Sequence, residues 1–354
     1  MDILDMEKLR RSVHSERKKV KDVGEVSIIS AIHRLQAIVP MGYLGIGDDA
    51  AYIPPSESGW LISQDMLVED VHFRWEWITP EQLGEKAVIV NMSDIAAMGG
   101  VPKAILTSIA LPRDFEVDAV EALYRGVSKA LDRYGAVLIG GDTVFSPDRF
   151  ALDVAVLGQP ASHGPVLLSG AKPGDRLFVT GRLGASYAGL ILLSQGIKWP
   201  STSLPYRSVL QAHLAPRARV QAGVKIGPLA HAMTDISDGL ISELRAMTRF
   251  GGIGAEIQAA KIPLDEATQY VAREYGKDAL DFALYGGEDY ELLAAIPPSR
   301  VHRVQQLCLA WGLPSTEIGV VTGTRGIHVV QNGEELKIDD RKGFHHFAVD
   351  HDEP

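Results

Sequence analysis

An acidic side chain stands beside glycine or serine in Gly45–Ala51 (GIGDDAA), Ile62–Asp65 (ISQD), Asn91–Asp94 (NMSD), Ile139–Asp142 (IGGD), Thr234–Gly239 (TDISDG) and Tyr285–Asp289 (YGGED). Carboxylate oxygens are the hard donors that Mg²⁺ takes, and a Mg²⁺ ion held by one or two of them keeps waters and bridges to substrate phosphates. Small neighbours let phosphate oxygens approach the backbone. The recurrence therefore points to convergence on one metal and phosphate site. Each segment also has a plainer reading, because an Asp beside Gly commonly serves a turn or caps a helix. Asp238 sits where the N-cap of a helix starting at Leu240 is expected, Asp48 or Asp49 would stabilise a turn, and Asp289 would be solvated. Core packing is the plain reading of Tyr124, and a structural or solvent-facing role that of His72. G-x-S-x-G, G-x-x-x-x-G-K-[ST] and a G-x-G-x-x-G in proper context are not evident, so any nucleotide site is of another kind.

Spacing dictates how these side chains would be presented. If Trp60–Asp65 is a strand, Ser63 and Asp65 share a side and Gln64 points away; the same alternation pairs Asp235 with Ser237. On a helix, Asn91 and Asp94 share a face. Further strands are expected at Ala104–Leu111, Ala136–Gly140, Phe150–Gly158, Arg176–Gly181 and Ala232–Ser237. Helices are expected at Glu116–Tyr134, where Val120, Leu123, Tyr124, Val127, Leu131 and Tyr134 form one stripe ended by Gly135, and at 185–194, 209–222, 240–250 and 301–311. Val26, Ile28, Ile29, Ile32 and Leu35 suggest a short amphipathic helix, and Asn332-Gly333 a hairpin turn between 327–331 and 336–338.

The pattern as a whole is α/β, of the α+β kind, in two domains. Residues 1–23, rich in Lys and Arg, read as a flexible, solvated basic extension, 24–160 and 161–347 as the two domains, and 348–354 as a tail. The division near 161 follows the Gly- and Pro-dense run ASHGPVLLSGAKPGD. A length of 354 residues is ample for two cores. The formal net charge of −10 argues against nucleic acid or an anionic membrane as partner, so a polyanionic substrate would need cations. Cys308 is the single cysteine, which excludes an internal disulfide or a cysteine zinc cluster and fits a reducing, cytoplasmic location. Neither a signal-peptide core nor a membrane-length apolar run is present.

The segments GIGDDAA, DMLVEDVHF, VNMSDIAAMGG, IGGDT, SGAKPGD, VTGRLGASYAGL, HLAPRAR, DISDGL and GGEDYEL, in this order, closely resemble the thiamine-monophosphate kinase family, over about Gly24 to Phe347. That family belongs with aminoimidazole ribonucleotide synthetase, selenophosphate synthetase and a hydrogenase maturation protein in one superfamily. The resemblance implies a two-domain aminoimidazole ribonucleotide synthetase-like fold, mixed sheets flanked by helices, with N-terminal ATP- and Mg²⁺-binding domains pairing in a homodimer. It implies phosphorylation of thiamine monophosphate by ATP, with several Mg²⁺ ions, to thiamine diphosphate. Carried across, Asp49, Ser63, Asp65, Asp94, Asp142, Asp235 and Asp238 resemble the metal-binding set, and Tyr124, Gly141, Asp142 and Ser237 the nucleotide contacts. His72, Glu288 and Phe344 resemble substrate contacts. No residue stands out as a covalent nucleophile, so direct in-line transfer is expected.

Three departures bear on this reading. Gln64 stands where the family commonly has Thr, Leu168 where many relatives have Arg, and Asp70 where Gly is common, adding negative charge near a presumed phosphate-binding face. Two alternatives follow: another ATP-dependent synthetase of the superfamily, or a nucleotide-binding dimer module that has lost catalysis. Selenophosphate synthetase is disfavoured by the missing early Cys, the hydrogenase maturation protein by an HDEP terminus without Cys, and aminoimidazole ribonucleotide synthetase by DMLVEDVHF and GGEDYEL.

Overall fold

The computed structural model describes residues 19, 31, 32, 34 and 35, residues 55–339 and residues 341–343. Two compact units are present. Among the described residues the first takes in Gln64–Val88 and Ala104–Ala155, and the second Pro55–Ser63, Ile89–Lys103 and the chain from Val156 onward.

A four-stranded sheet in the order β1-β4-β2-β3 is built from β1 (Leu61–Val68), β2 (Gly100–Leu111), β3 (Val137–Phe145) and β4 (Ala151–Pro160). β2 and β3 run parallel, with Thr107 opposite Gly141 and Ser108 opposite Asp142. A parallel pair needs a crossover, and α2 (Val117–Tyr134) supplies it. Its stripe Val120, Leu123, Tyr124, Val127 and Leu131 is buried, and Gly135, left-handed at φ 67°, ends it by donating its N–H to the Leu131 carbonyl. α1 (Pro80–Ala97) carries the NMSD segment. Of the amphipathic helix expected near Ile32, the described residues 31, 32 and 34 are helical, with Ala31 and Ile32 buried. Lys19 bridges to Glu116 with an ion pair of 3.8 Å, so at this residue the basic extension lies against the first unit and is not wholly solvated.

The second unit is organised on a seven-stranded mixed sheet in the order β11-β10-β7-β9-β5-β8-β6. Its strands are β5 (Arg176–Thr180), β6 (Ala232–Asp235), β7 (Gly254–Gln258), β8 (Leu292–Ile296), β9 (Ser315–Thr322), β10 (Gly326–Gln331) and β11 (Glu334–Leu336). Its other helices of seven or more residues are α3 (Ala185–Ser194), α4 (Leu204–Leu214), α5 (Val220–Ile226), α6 (Leu240–Gly251), α7 (Glu266–Glu274), α8 (Ala279–Tyr285) and α9 (Val301–Ala310). The apolar face of α6, Leu240, Ile241, Leu244 and Met247, packs in one core with Leu177, Val179, Leu293 and Ala295 from the sheet. The hairpin forms with Asn332 at φ 54° and Gly333 at φ 88°, a turn with both central residues left-handed.

Two expectations are corrected. The helix expected over 209–222 is two helices, α4 and α5, because Pro216 lacks the N–H a continuing helix needs and its ring crowds the preceding turn. The strand expected through Ser237 ends at Asp235, so alternation on a strand does not pair the two side chains; Ser237 lies in the turn that leads into α6.

Candidate functional site

In the second unit three acidic segments meet at adjacent residues of α1. Ser63 Oγ on β1 donates to Asp94 Oδ2, and Ser93 Oγ donates to Asp235 Oδ2 at the end of β6, at 2.5 Å. Ser93, Asn91 and Asp235 are buried while Asp94 is half-buried. ISQD, NMSD and TDISDG, far apart in the chain, thus bring hydroxyl and carboxylate oxygens together.

Beyond Asp235 the chain turns sharply, and the plain reading of Asp238 is corrected there. Gly239 is the N-cap of α6 and no side chain caps it. The bond runs the other way: Glu243, in the first turn of α6, accepts the Asp238 N–H at 3.3 Å and the Ser237 hydroxyl at 3.4 Å. Burial, reinforced by the nearby Asp238 charge, raises the Glu243 carboxyl to about 7 against the hydrogen bonds from Asp238 and Ser237 that oppose it. Asp238 itself is exposed.

The YGGED segment also departs from its plain reading. Asp289 is not solvated: its carboxylate is enclosed, although the residue as a whole is half-buried, and it accepts the N–H groups of Gly184 and Ser186 at 2.7 and 3.3 Å. It thereby satisfies orphan donors at the start of α3, while its burial pushes the carboxyl up to about 8. Glu288 reaches Nδ1 of the buried His213 at 3.1 Å.

The first unit takes up β1 from Gln64 onward: Asp65 is exposed, two residues past Ser63 at the alternation predicted, and Gln64 faces away to donate to Asp153 Oδ2 at 2.9 Å. Asp142 is exposed on β3, with Oδ1 accepting the Thr143 N–H at 2.8 Å. Beside it, a Cβ on Gly141 would stand 1.8 Å from the Thr107 carbonyl oxygen, so no larger residue fits. Tyr124 is buried, its hydroxyl bonded to Thr107 Oγ1 at 2.9 Å and its acidity suppressed by burial, with the pKa raised to about 12. It therefore braces the strand opposite Gly141 from within the core. His72 Nδ1 accepts the Val68 N–H at 3.0 Å, which fixes the ring.

The departures acquire physical form. Asp70 has φ 64°, the left-handed conformation that glycine adopts without strain, and its added charge is met by Arg149 and, at 3.9 Å, by Arg74. Leu168 packs partly buried against the second unit's core. Asp49 and Phe344 lie outside the described residues.

Ser93 and Glu243 were missed in reading the sequence. Ser93 had a signal, a hydroxyl next to Asp94 in NMSD; Glu243 had only its place one turn past a Gly-led helix start, the position from which a carboxylate can reach back to a free N–H. Among the described residues no three His, Cys, Asp or Glu side chains close into a metal cage. Scattered hard oxygens on Ser and Asp fit Mg²⁺, which takes few protein ligands and completes its shell with water and phosphate oxygens.

The chain matches AIR synthase related protein, N-terminal domain, over residues 47–159 and AIR synthase related protein, C-terminal domain, over 172–332. It is 36% identical over 307 residues to the thiamine-monophosphate kinase of Bacillus subtilis strain 168, covering 86% of this chain and 93% of that one. To that of Aquifex aeolicus strain VF5 it is 35% identical over 333 residues, covering 93% of this chain and all of its relative (100%). Among solved structures, thiamine-monophosphate kinase from Stenotrophomonas maltophilia K279a superposes with a TM-score of 0.77 at 30% identity, covering 91% of this chain and 100% of that one. AaThiL complexed with AMPPCP and TMP gives 0.74 at 35% identity, covering 94% and 100%. Hydrogenase maturation protein HypE shares the fold alone, at 18% identity and a TM-score of 0.71.

Proposed function

The chain belongs to the AIR synthase related family and, within it, to the thiamine-monophosphate kinases, and we propose from that premise that it transfers the γ-phosphate of ATP to thiamine monophosphate, giving ADP and thiamine diphosphate. The observation that carries this reading is the meeting of ISQD, NMSD and TDISDG at Ser93 and Asp94, in a chain 35% identical over 94% of its length to a kinase complexed with AMPPCP and TMP.

The chemistry follows from the acceptor. Its nucleophile is a phosphate oxygen already ionised at neutral pH, so a strong general base is not needed; the barrier lies in bringing two polyanions together. A chain of net charge −10 offers no remedy of its own. Mg²⁺ bound at this site supplies charge neutralisation and alignment of phosphate oxygens. Asp49, Ser63, Asp65, Asp94, Asp142, Asp235 and Asp238 are the residues proposed to hold the several Mg²⁺ ions. Ser63 and Ser93 orient the carboxylates they bond, and Glu243 fixes the turn that presents Ser237 and Asp238.

Gly141, Asp142 and Ser237 are proposed nucleotide contacts, and Tyr124 supports Gly141 through Thr107 on the neighbouring strand. His72, Glu288 and Phe344 are proposed for the acceptor, where the Glu288 carboxylate matches the permanent positive charge of the acceptor's thiazolium ring. The proposed domains are 24–160 and 161–347, in keeping with the family matches over 47–159 and 172–332. A homodimer in the cytoplasm is part of the same reading. The homodimer is supported by apolar side chains exposed on β1, an edge strand among the described residues, with Ile62 at 71% and Met66 at 53%. No helix among the described residues is long and apolar enough to cross a membrane.

Transfer is direct and in line. With ATP labelled in its γ-phosphate, thiamine monophosphate and Mg²⁺, the label should pass to thiamine diphosphate with none on the acid-precipitated protein during a single turnover. A labelled protein that chases into product would replace direct transfer by a phosphoenzyme route.

A further inference from the structure

The HLAPRAR segment grips the GGEDYEL segment at two points. His213, at the end of α4, places Nδ1 3.1 Å from Glu288 Oε2 and 3.0 Å from Ser186 Oγ. A carboxylate oxygen only accepts, so Nδ1 carries the hydrogen. Arg219, in the bend before α5, engages Glu291 with both Nε, at 2.7 Å to Oε2, and Nη2, to Oε1. Thr180 Oγ1 donates to the same Glu291 carboxylate at 2.6 Å and accepts the Leu292 N–H at 2.8 Å. With Asp289 fixed on the start of α3, each acid of the loop has its own anchor.

What is anchored is a backbone that would not hold its shape unaided. Glu288 and Tyr290, neither of them glycine, take φ values of 66° and 51°. Such residues persist only where the surroundings over-determine them. The loop lies directly on the turn after β6: the Glu288 N–H bonds the Ser237 carbonyl at 2.6 Å, the Tyr290 N–H bonds the Ile236 carbonyl at 2.9 Å, and the Ile236 N–H bonds the Glu291 carbonyl at 2.8 Å. A Cβ on Gly287 would come within 2.4 Å of the Ser237 carbonyl oxygen, so the two segments are as close as backbones allow.

The geometry points to HLAPRAR as a positioning clamp: His213 and Arg219 hold the left-handed GGEDYE loop against the 236–238 turn and so fix Glu288 for the acceptor. The link to the acceptor rests on the function proposed above; the clamp itself does not. Neither His213 nor Arg219 needs to touch substrate.

Three variants and two readouts test it. His213→Leu removes the Nδ1 donor, and His213→Asn restores one near the same place. Arg219→Met combined with Glu291→Gln removes both charges together, avoiding the buried unpaired carboxylate that would endanger folding. Hydrogen exchange read on peptides spanning 284–292 should quicken in His213→Leu and in the double variant, with His213→Asn close to wild type. In turnover, His213→Leu should raise KM for thiamine monophosphate by about tenfold, the scale of one net hydrogen bond. KM for ATP should stay within about twofold, and His213→Asn should recover most of the loss. Unchanged exchange in both His213→Leu and the double variant would overturn the clamp. So would an equal rise in both KM values, or a His213→Asn as impaired as His213→Leu. A wild-type protein that never phosphorylates thiamine monophosphate would remove the acceptor reading alone, and exchange would still decide the clamp.

Discussion

Removing the Ser93 hydroxyl takes one donor from a buried carboxylate, since Ser93 bonds Asp235 at 2.5 Å and both are buried. Loss of a hydrogen bond to a buried charged group costs on the order of 1–3 kcal/mol, so Ser93→Ala should lower the denaturant midpoint by that equivalent, and an unchanged midpoint would show the contact to be idle. Asp289 yields a pH dependence. Burial holds its carboxyl at about 8 in the folded chain against an ordinary value of 3.8. The folded state therefore keeps a proton that the unfolded state has released, so this group's stabilising contribution is complete below 3.8 and is lost as pH rises through about 8. Asp289→Asn cannot titrate, so wild type should lose stability relative to it between about pH 5 and pH 8 when both are unfolded with urea; parallel curves would contradict the assignment. At this scale residue types were legible and partners were not. Asp94 and Asp235 could be singled out by their neighbours, but that a serine 142 positions away bonds Asp235 is set only by folding. Asp289 was misread because nothing local marks a carboxylate as the cap of a helix that starts some hundred residues earlier.

Helix α2 shows an element written fully in its own sequence: an apolar stripe on one face and Gly135 in the left-handed position at its end. Gly135→Ala forces a side chain into φ 67° and should cost roughly 1–2 kcal/mol by thermal or denaturant unfolding. Tyr124→Phe keeps the packing but deprives Thr107 of its partner, a loss of about 1 kcal/mol. If Thr107 supports Gly141 as proposed, KM for ATP should rise in that variant with the acceptor's KM unchanged. Other elements were harder to read. β8, LLAAI, is buried on both faces and so lacks the alternation that marks a strand. The helix broken at Pro216 carries an apolar pattern that runs on through the break, and the pattern outweighed the proline. Gln64 is the opposite case: strand alternation alone places it away from Ser63 and Asp65, and its bond to Asp153 shows how the substitution is absorbed.

Across the whole molecule, the two-domain α/β class was legible from alternating strand and helix signals, and the matches over 47–159 and 172–332 agree with that class. Strand order was not legible, because the seven-stranded sheet joins strands such as β5 and β8 that are separated by more than a hundred residues. The proposed homodimer makes its own prediction. Among the described residues β1 is an edge strand with Ile62 and Met66 exposed, and apolar side chains on such an edge invite pairing with a second copy. Met66→Glu should shift the sedimenting species from dimer to monomer while leaving the far-ultraviolet spectrum unchanged, and a wild-type monomer would end that proposal. The central claim is tested most directly by product analysis. Purified protein is incubated with thiamine monophosphate, ATP and Mg²⁺, and thiamine diphosphate and ADP are resolved by chromatography, with Asp142→Asn alongside. Equal amounts of both products from wild type, and neither from the variant, is the predicted result. ATP binding without thiamine diphosphate, while a B. subtilis thiamine-monophosphate kinase works under the same conditions, would contradict the account.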